Sequence, residues 1–445
     1  MASILQLLFC AALGLSAVDA RAVVAHYMIY RLDGTTDHAR RDVHEAIAVG
    51  FDGFAMNLGN PNTNWTKSTV DQLFAAAEGT DFGLFFSFDT AQHRVLTDHV
   101  AFFEGYRDHP NYMRAGSGDL PIVSSYGGHA LTADWARFKE EENIYLIPNL
   151  DDTGPGQGES GPYYTDPAGQ LGEYLDIVDG FFSWESAWPR SIGGPENISS
   201  VGDEAVMSFA HEAGKAYMMG ISPVQYKNLS GDPWYRVGEV NLPQRMGQIL
   251  DMQPEFAQFM TWNDGGESHY IGNIWDEAYG PDNFPEILSY SNTVQWPHYA
   301  WQPLVTSFIN AYKAGVTPDK MRPISGNEPI GALWYRGMLK TCTEHVPRNT
   351  ASAIDSVNYA IVLPKSAKGW KIRVSSGGQV LSTVTAKPGL NYAAVPGMRV
   401  GLQKVELLDR RGKVLMSARS SADVTNSSEC NFNFNVVGLE KRRGH

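Results

Sequence analysis

The chain has 445 residues, enough for one large barrel with an addition or for two or three domains. It is 43% hydrophobic and 19% charged, which excludes a disordered or fibrous chain and allows a sizeable core. A formal net charge of -14 argues against nucleic acid as a partner and favours a neutral or polyol ligand.

Residues 1–20 carry an apolar stretch from Ile4 to Ala17 and small residues at Val18-Asp19-Ala20, the pattern of a secretory signal peptide. The apolar run is short for a membrane span, so a membrane anchor is the weaker alternative. No later segment reads as transmembrane. The expected product is secreted to the outside or the cell wall, with no membrane attachment after cleavage. Cys342 and Cys430 remain after removal of the signal. In an oxidising compartment they suggest a disulfide, with two free thiols as the alternative. Sequons begin at Asn64, Asn197, Asn228 and Asn426, each a possible glycan site.

Eight runs rich in Val, Ile, Phe and Tyr follow: Val23–Tyr30, Gly50–Leu58, Phe82–Asp89, Leu120–Gly127, Asn143–Leu150, Gly180–Ala187, Ala216–Pro223 and Phe256–Asp264. Most are almost continuously apolar, as parallel strands buried on both faces are. Helical spacing follows each: Asp37–Val49, Lys67–Glu78, Arg94–Arg107, Thr132–Glu142, Ala168–Val178, Ser199–Ala213, Val240–Met252 and Trp296–Ala314. Eight strand–helix units predict an α/β fold, a (β/α)8 TIM barrel over residues 21–322. A doubly wound sheet is the alternative, and the regularity of the units favours closure.

The pattern changes after about Pro323. Short β-type runs recur at Gly331–Leu339, Tyr359–Leu363, Trp370–Ser375, Gln379–Val384, Gly389–Val395, Val405–Leu408 and Val414–Ser417, separated by Gly-rich turns. These predict a C-terminal all-β sandwich over residues 323–445, bracing the barrel or binding polymer.

Barrel enzymes place their chemistry at the C-terminal ends of the strands. The residues there are His26, Asn57, Asp89, Tyr126, Asp151, Trp184 with Glu185 and Trp188, Trp234 in the loop after the seventh strand, and finally the segment Phe259-Met-Thr-Trp-Asn-Asp-Gly-Gly-Glu-Ser-His-Tyr270. Asp264 and Glu267 lie three residues apart in that segment, among Trp262, His269 and Tyr270. Glycosidic cleavage needs two carboxyl groups, one to protonate the leaving oxygen and one to serve the anomeric carbon. Aromatic rings offer flat apolar faces to a sugar. The structural alternatives are helix capping for Asp89, a turn for Asp151 and Asp152, and core packing for some of the tryptophans. No HExxH, GxSxG or GxxxxGK[ST] occurs, which argues against a zinc site, a serine nucleophile and a phosphate-cradling loop.

Four blocks, Val24-Ala-His-Tyr-Met28, Gly50-Phe-Asp-Gly-Phe-Ala-Met-Asn57, Phe86-Ser-Phe-Asp89 and Trp262-Asn-Asp-Gly-Gly-Glu-Ser-His-Tyr-Ile-Gly272, resemble glycoside hydrolase family 71, the fungal endo-1,3-alpha-glucanases or mutanases. The resemblance implies hydrolysis of the polysaccharide alpha-1,3-glucan with inversion and without a metal or organic cofactor, Asp264 and Glu267 as the catalytic pair, and Asp89 as a further essential acid. Asn149-Leu-Asp-Asp-Thr departs from it, since an aromatic residue is expected after the fifth strand. We assign Glu267 as general acid and Asp264 as general base, with Gly265 and Gly266 supplying backbone freedom. The expected substrate contacts are His26, Asn57, Tyr126, Asp151, Trp184, Glu185, Trp188, Trp234, Trp262, His269 and Tyr270, in a monomer. Another glucanase on the same fold and a non-hydrolytic glucan-binding protein are the competing readings.

Overall fold

The protein is described by a computed structural model over residues 21–32, 37–154, 156–191, 193–280 and 284–441. The expected signal segment lies outside these residues. Eight strands make a parallel sheet: β1 Ala22–Met28, β2 Gly53–Leu58, β3 Gly83–Asp89, β4 Leu120–Tyr126, β5 Tyr145–Asn149, β6 Gly180–Ser183, β7 Ala216–Ile221 and β8 Phe256–Phe259. Their order is β5-β4-β3-β2-β1-β8-β7-β6, so the first strand pairs with the last, Val24 opposite Gln258 and opposite Gly53. The sheet therefore curls. A ladder runs through every neighbouring pair among the described residues except β5 and β6. Pro148 leaves β5 one donor short, and β6 has only four residues. One residue stitches that seam: the Asp179 amide donates to the Leu146 carbonyl at 2.8 Å, and its carboxylate accepts from the Leu146 amide at 2.7 Å.

Nearly every strand residue is buried, as the unbroken apolar runs require. The predicted helices form with shifted ends. The second starts at Asn64 rather than Lys67, because the Thr63 hydroxyl caps it by accepting from the Thr66 amide at 3.2 Å. The segment after β5 breaks into Pro162–Thr165, Pro167–Leu171 and a single turn at Gly172–Tyr174, where one helix over Ala168–Val178 was predicted. Pro162 and Pro167 open the first two pieces, and Gly169 and Gly172 weaken continuation into the third. Strand β8 also stops five residues before Asp264.

The C-terminal region holds two antiparallel sheets. One has Ile330–Arg336 and Ser356–Leu363 at its centre, flanked by Gly389–Pro396 and Phe434–Gly438. The other is built on Lys371–Ser376 and Gln403–Leu408. Alternation along the central strands makes the first sheet a middle layer. Leu333, Tyr335, Tyr359 and Ile361 face the second sheet, while Ala332, Trp334, Ala360 and Val362 join the core of the α/β body. Cys342 and Cys430 form the expected disulfide. Among the described residues no helix is long and apolar enough to cross a membrane.

Candidate active site

The chain beyond β8 turns back on itself as a hydrogen-bonded loop. The Thr261 amide donates to the His269 carbonyl at 2.7 Å, and the Gly272 amide to the Trp262 carbonyl at 2.8 Å. Trp262 anchors the loop from below. Its indole N–H donates to the Asp42 carboxylate at 3.0 Å, which also accepts from Tyr27, Asn273 and Trp275. Burial pushes Asp42 up to about 6 against those four donors. A Cβ on Gly272 would lie 2.2 Å from the Trp262 ring, so glycine is required for this fold-back. The expected role of Gly265 and Gly266 needs correction. Neither adopts a left-handed backbone; Ser268 does, with φ 57°. The glycines instead allow close approach. The Gly265 amide donates to the Tyr279 hydroxyl at 3.0 Å, and a Cβ on Gly266 would stand 3.1 Å from Asp264 Oδ1.

Asp264 is thereby held in a fixed pose. Its Oδ2 accepts from His269 Nε2 at 3.1 Å and its Oδ1 from the Glu267 amide at 3.1 Å. Burial alone would raise its pKa, but the His269 hydrogen bond and charge, with the Glu267 amide, outweigh burial and hold it below the usual carboxylate range. Glu267 shifts the other way. Burial and then the Asp264 charge raise its pKa, opposed by His269, Gln225 and Lys227. Its side chain keeps 28% of its surface open to the cavity, against 10% for Asp264. Two neighbouring carboxyls are thus pushed apart in proton affinity, the arrangement that assigns an acid and a base. One oxygen of each, with His269 Nε2, lies within 4.8 Å of the others, a grouping that could also hold a cation.

The cavity they face has a volume of about 900 Å³. His26, Asn57, Asp89, Tyr126, Trp184, Glu185 and Trp234 line it, so the sequence placed seven further residues on its wall. Asp89 accepts from the Gln92 amide and side chain at 3.0 Å and from Asn57 Nδ2 at 3.3 Å, and burial raises its pKa. It does not cap the helix that follows, which begins at Leu96 with Val95 as its N-cap and no side-chain cap; its carboxylate closes the turn to Gln92 and faces the cavity. Trp184 stands edge-on to both His26 and Tyr126. Burial and then the His269 charge hold His26 at about 3, so its imidazole is neutral.

Five expected substrate contacts are not on the cavity wall. Asp151 accepts from the Tyr164 hydroxyl at 2.6 Å and the Thr153 amide at 2.9 Å, closing its own loop. Trp262 is fully buried on Asp42. Trp188 lies beneath the Arg236 guanidinium at 4.4 Å. Tyr270 stacks on His298 at 4.1 Å. His269 is buried too, and acts on the site through Asp264 and Glu267.

Sequence reading missed a hairpin, Gln225–Lys227 paired with Trp234–Arg236. Gln225 Nε2 donates to Glu267 Oε2. Arg236 donates to Gln225 Oε1 at 3.1 Å and forks onto Glu185 at 2.6 and 3.1 Å, both side chains being buried. Glu185 is therefore committed to Arg236, which leaves it a positioning acid. Three-residue strands carry too little periodicity to read. Tyr30, which the sequence places with His26 at the end of the first strand, does reach Asp264 and the cavity; Tyr279 on the other side of it and Trp65 at the rim were missed. Trp65 sits inside the Asn64 sequon, the one signal that drew attention there.

The sequence profile of Glycosyl hydrolase family 71 matches residues 19–444. A glucan endo-1,3-alpha-glucosidase of Schizosaccharomyces pombe is 27% identical, with 96% of this chain and 97% of that protein aligned. A mutanase of Penicillium rubens is 29% identical over 96% of this chain and 90% of its own length. The ascus wall endo-1,3-alpha-glucanase of Schizosaccharomyces pombe is 28% identical over 85% and 87%. Among solved structures, an endo-alpha-mannosidase from Bacteroides thetaiotaomicron aligns over 66% of this chain and 98% of its own, with 12% identity and a TM-score of 0.49. The match of the family profile along almost the whole sequence means that this chain belongs to glycosyl hydrolase family 71 and is a glycoside hydrolase.

Proposed function

We propose that the enzyme cleaves alpha-1,3-glucan within the chain, on a closed (β/α)8 barrel of residues 21–322 followed by a β-sandwich of residues 323–445. The alpha-1,3-glucan activities printed in the names of its relatives support the substrate. One observation carries the chemistry: Asp264 and Glu267, with proton affinities pushed in opposite directions, face the same cavity. Glu267 protonates the glycosidic oxygen. Asp264, kept ionised by His269, takes a proton from the attacking water. Asp89, positioned by Asn57 and Gln92, holds the water or a sugar hydroxyl. His26, Asn57, Tyr126, Trp184 and Trp234 bind the sugars.

We assign inversion, which converts the alpha linkage to a beta product. The close approach of the pair, one oxygen of each within 4.8 Å, raises a second reading, retention through a covalent intermediate on one of them, since retaining carboxyls stand closer together than inverting ones. Proton NMR of the first released sugar decides: the beta anomer supports inversion, and the alpha anomer supports retention. The substrate is tested by reducing-sugar release from alpha-1,3-, alpha-1,4- and beta-1,3-glucans. Release from alpha-1,3-glucan alone is expected, and none from it would remove the reading.

The chain is further read as a secreted monomeric glycoprotein of the outside or cell wall, behind a cleaved signal of residues 1–20 and without cofactor. Asn64, Asn197 and Asn426 are exposed and Asn228 half-buried, which suits glycan attachment. The Cys342–Cys430 disulfide suits an oxidising compartment.

A further inference from the structure

The hairpin beside Glu267 is gripped from two sides. At its inner end the Tyr226 amide donates to the Glu267 carbonyl at 2.9 Å, and Gln225 reaches the Glu267 carboxyl. Successive side chains on a strand point to opposite faces. Gln225 and Lys227 line the cavity, while Tyr226 between them points away. Its hydroxyl donates to the Cys430 carbonyl at 3.0 Å, and its ring packs against Phe432. On the partner strand Tyr235 meets Phe432 edge-on at 5.1 Å. The underside of the hairpin thus rests on the disulfide-bonded segment of the C-terminal region.

The other half of that disulfide leads to the outer end. A few residues after Cys342, Arg348 runs beside Trp234 as an added rung. Its amide donates to the Pro233 carbonyl at 2.8 Å, and its carbonyl accepts from the Tyr235 amide at 3.1 Å. The Arg348 guanidinium pairs with Asp232 at 2.8 Å. Arg348 and Asn349 line the same cavity as Asp264 and Glu267. The register fixes the order outward. Gln225 opposes Arg236 at the catalytic end, and Lys227 opposes Trp234 two residues further out. At the extended-strand rise that is about 7 Å.

We infer that Lys227, Trp234, Arg348 and Asn349 form a distal glucan subsite, a cavity wall supplied in part by the C-terminal region, which binds sugar units remote from the bond being cut. The inference rests on the proposed function. An aromatic ring among cationic and amide donors suits a neutral polyol: the ring takes the apolar face of the sugar, and the donors take its hydroxyls. The C-terminal region then contributes to substrate length preference as well as to bracing.

The test compares kcat/KM on long alpha-1,3-glucan with that on a short alpha-1,3-linked oligosaccharide bearing an activated leaving group. Trp234→Ala and Arg348→Ala are measured in the full chain. The Arg348 side chain is 67% exposed, so its variant keeps the test decidable if Trp234→Ala folds poorly. Each substitution is expected to lower the long-to-short ratio on the order of fivefold, the worth of one ring or polar contact, and to change the length distribution of the products. An unchanged ratio in both variants overturns the inference while wild-type cleavage upholds the function. An equal loss on both substrates, together with a fall in Tm, overturns it in favour of bracing alone. A wild type that cleaves neither substrate removes the proposed function, and the subsite with it.

Discussion

Two strand ends carry paired acids, and they come to opposite uses. After β5, Asp151 and Asp152 sit in a loop with Gly154 and Gly156; after β8, Asp264 and Glu267 sit in a loop with Gly265 and Gly266. Asp151 is spent on Tyr164 and Thr153, donors of its own neighbourhood, and Asp152 faces His129 at 3.4 Å. Asp264 also has its oxygens occupied, but by His269 and the Glu267 amide, which leave its partner carboxyl open to a cavity. Burial raises Asp151 to about 6 off the wall of the cavity that holds Glu267, whereas burial and Asp264 together raise Glu267 on that wall. On the proposed mechanism, what separates the two strand ends is the set of donors that divide the proton affinities of Asp264 and Glu267 and the cavity those two share.

The sharpest way to break this comparison is to neutralise one acid at each end. Asp264→Asn and Glu267→Gln are each expected to lower kcat on alpha-1,3-glucan about 10²–10⁴-fold, the range for a lost general acid or base. Asp151→Asn is expected to change it less than about twofold, since the carboxyl lies off the cavity wall. A comparable loss from Asp151→Asn would end the distinction.

Next in size are the supports. Gly272→Ala forces a methyl group into the Trp262 ring, and overpacking of that kind costs about 1–3 kcal/mol. Activity should fall alongside the urea midpoint, because the β8 loop is displaced. Asp151→Ala leaves the buried Tyr164 hydroxyl without its acceptor, at a cost of about 1–3 kcal/mol. Here the midpoint should fall while kcat of the folded fraction holds, which separates the two loops again.

The smallest effects are shifts of the pH profile. Activity needs Asp264 ionised, so it is lost as pH falls through a depressed pKa. It needs Glu267 protonated, so it is lost as pH rises through a raised one. His269→Asn removes the principal support of the Asp264 carboxylate and should move the acidic limb upward. Gln225→Leu removes a donor that favours ionised Glu267 and should move the alkaline limb upward. If Gln225→Leu moves the acidic limb instead, the two roles are reversed.

The sequence by itself determined the order of the eight parallel strands, the C-terminal sheets, the disulfide partners and three acids that line the cavity, Asp89, Asp264 and Glu267. Apolar runs and helical spacing are local patterns, and the Trp-Asn-Asp-Gly-Gly-Glu-Ser-His-Tyr block is specific enough to carry a family. It also placed Asp89, Asn57 and His26 on one wall, because strand ends in a parallel sheet share an edge. Tertiary structure decided the rest. Trp188, Trp262 and Tyr270 looked like sugar platforms, yet each has its ring or polar tip taken up inside the fold, by Arg236, Asp42 and His298. The hairpin that holds Glu267 is too short to show a period, and Arg348 reaches the cavity only through a non-local rung beside Trp234. Which side chain meets a ligand depends on what else competes for its polar atoms. Those competitors come from distant parts of the chain, so local sequence does not reveal them.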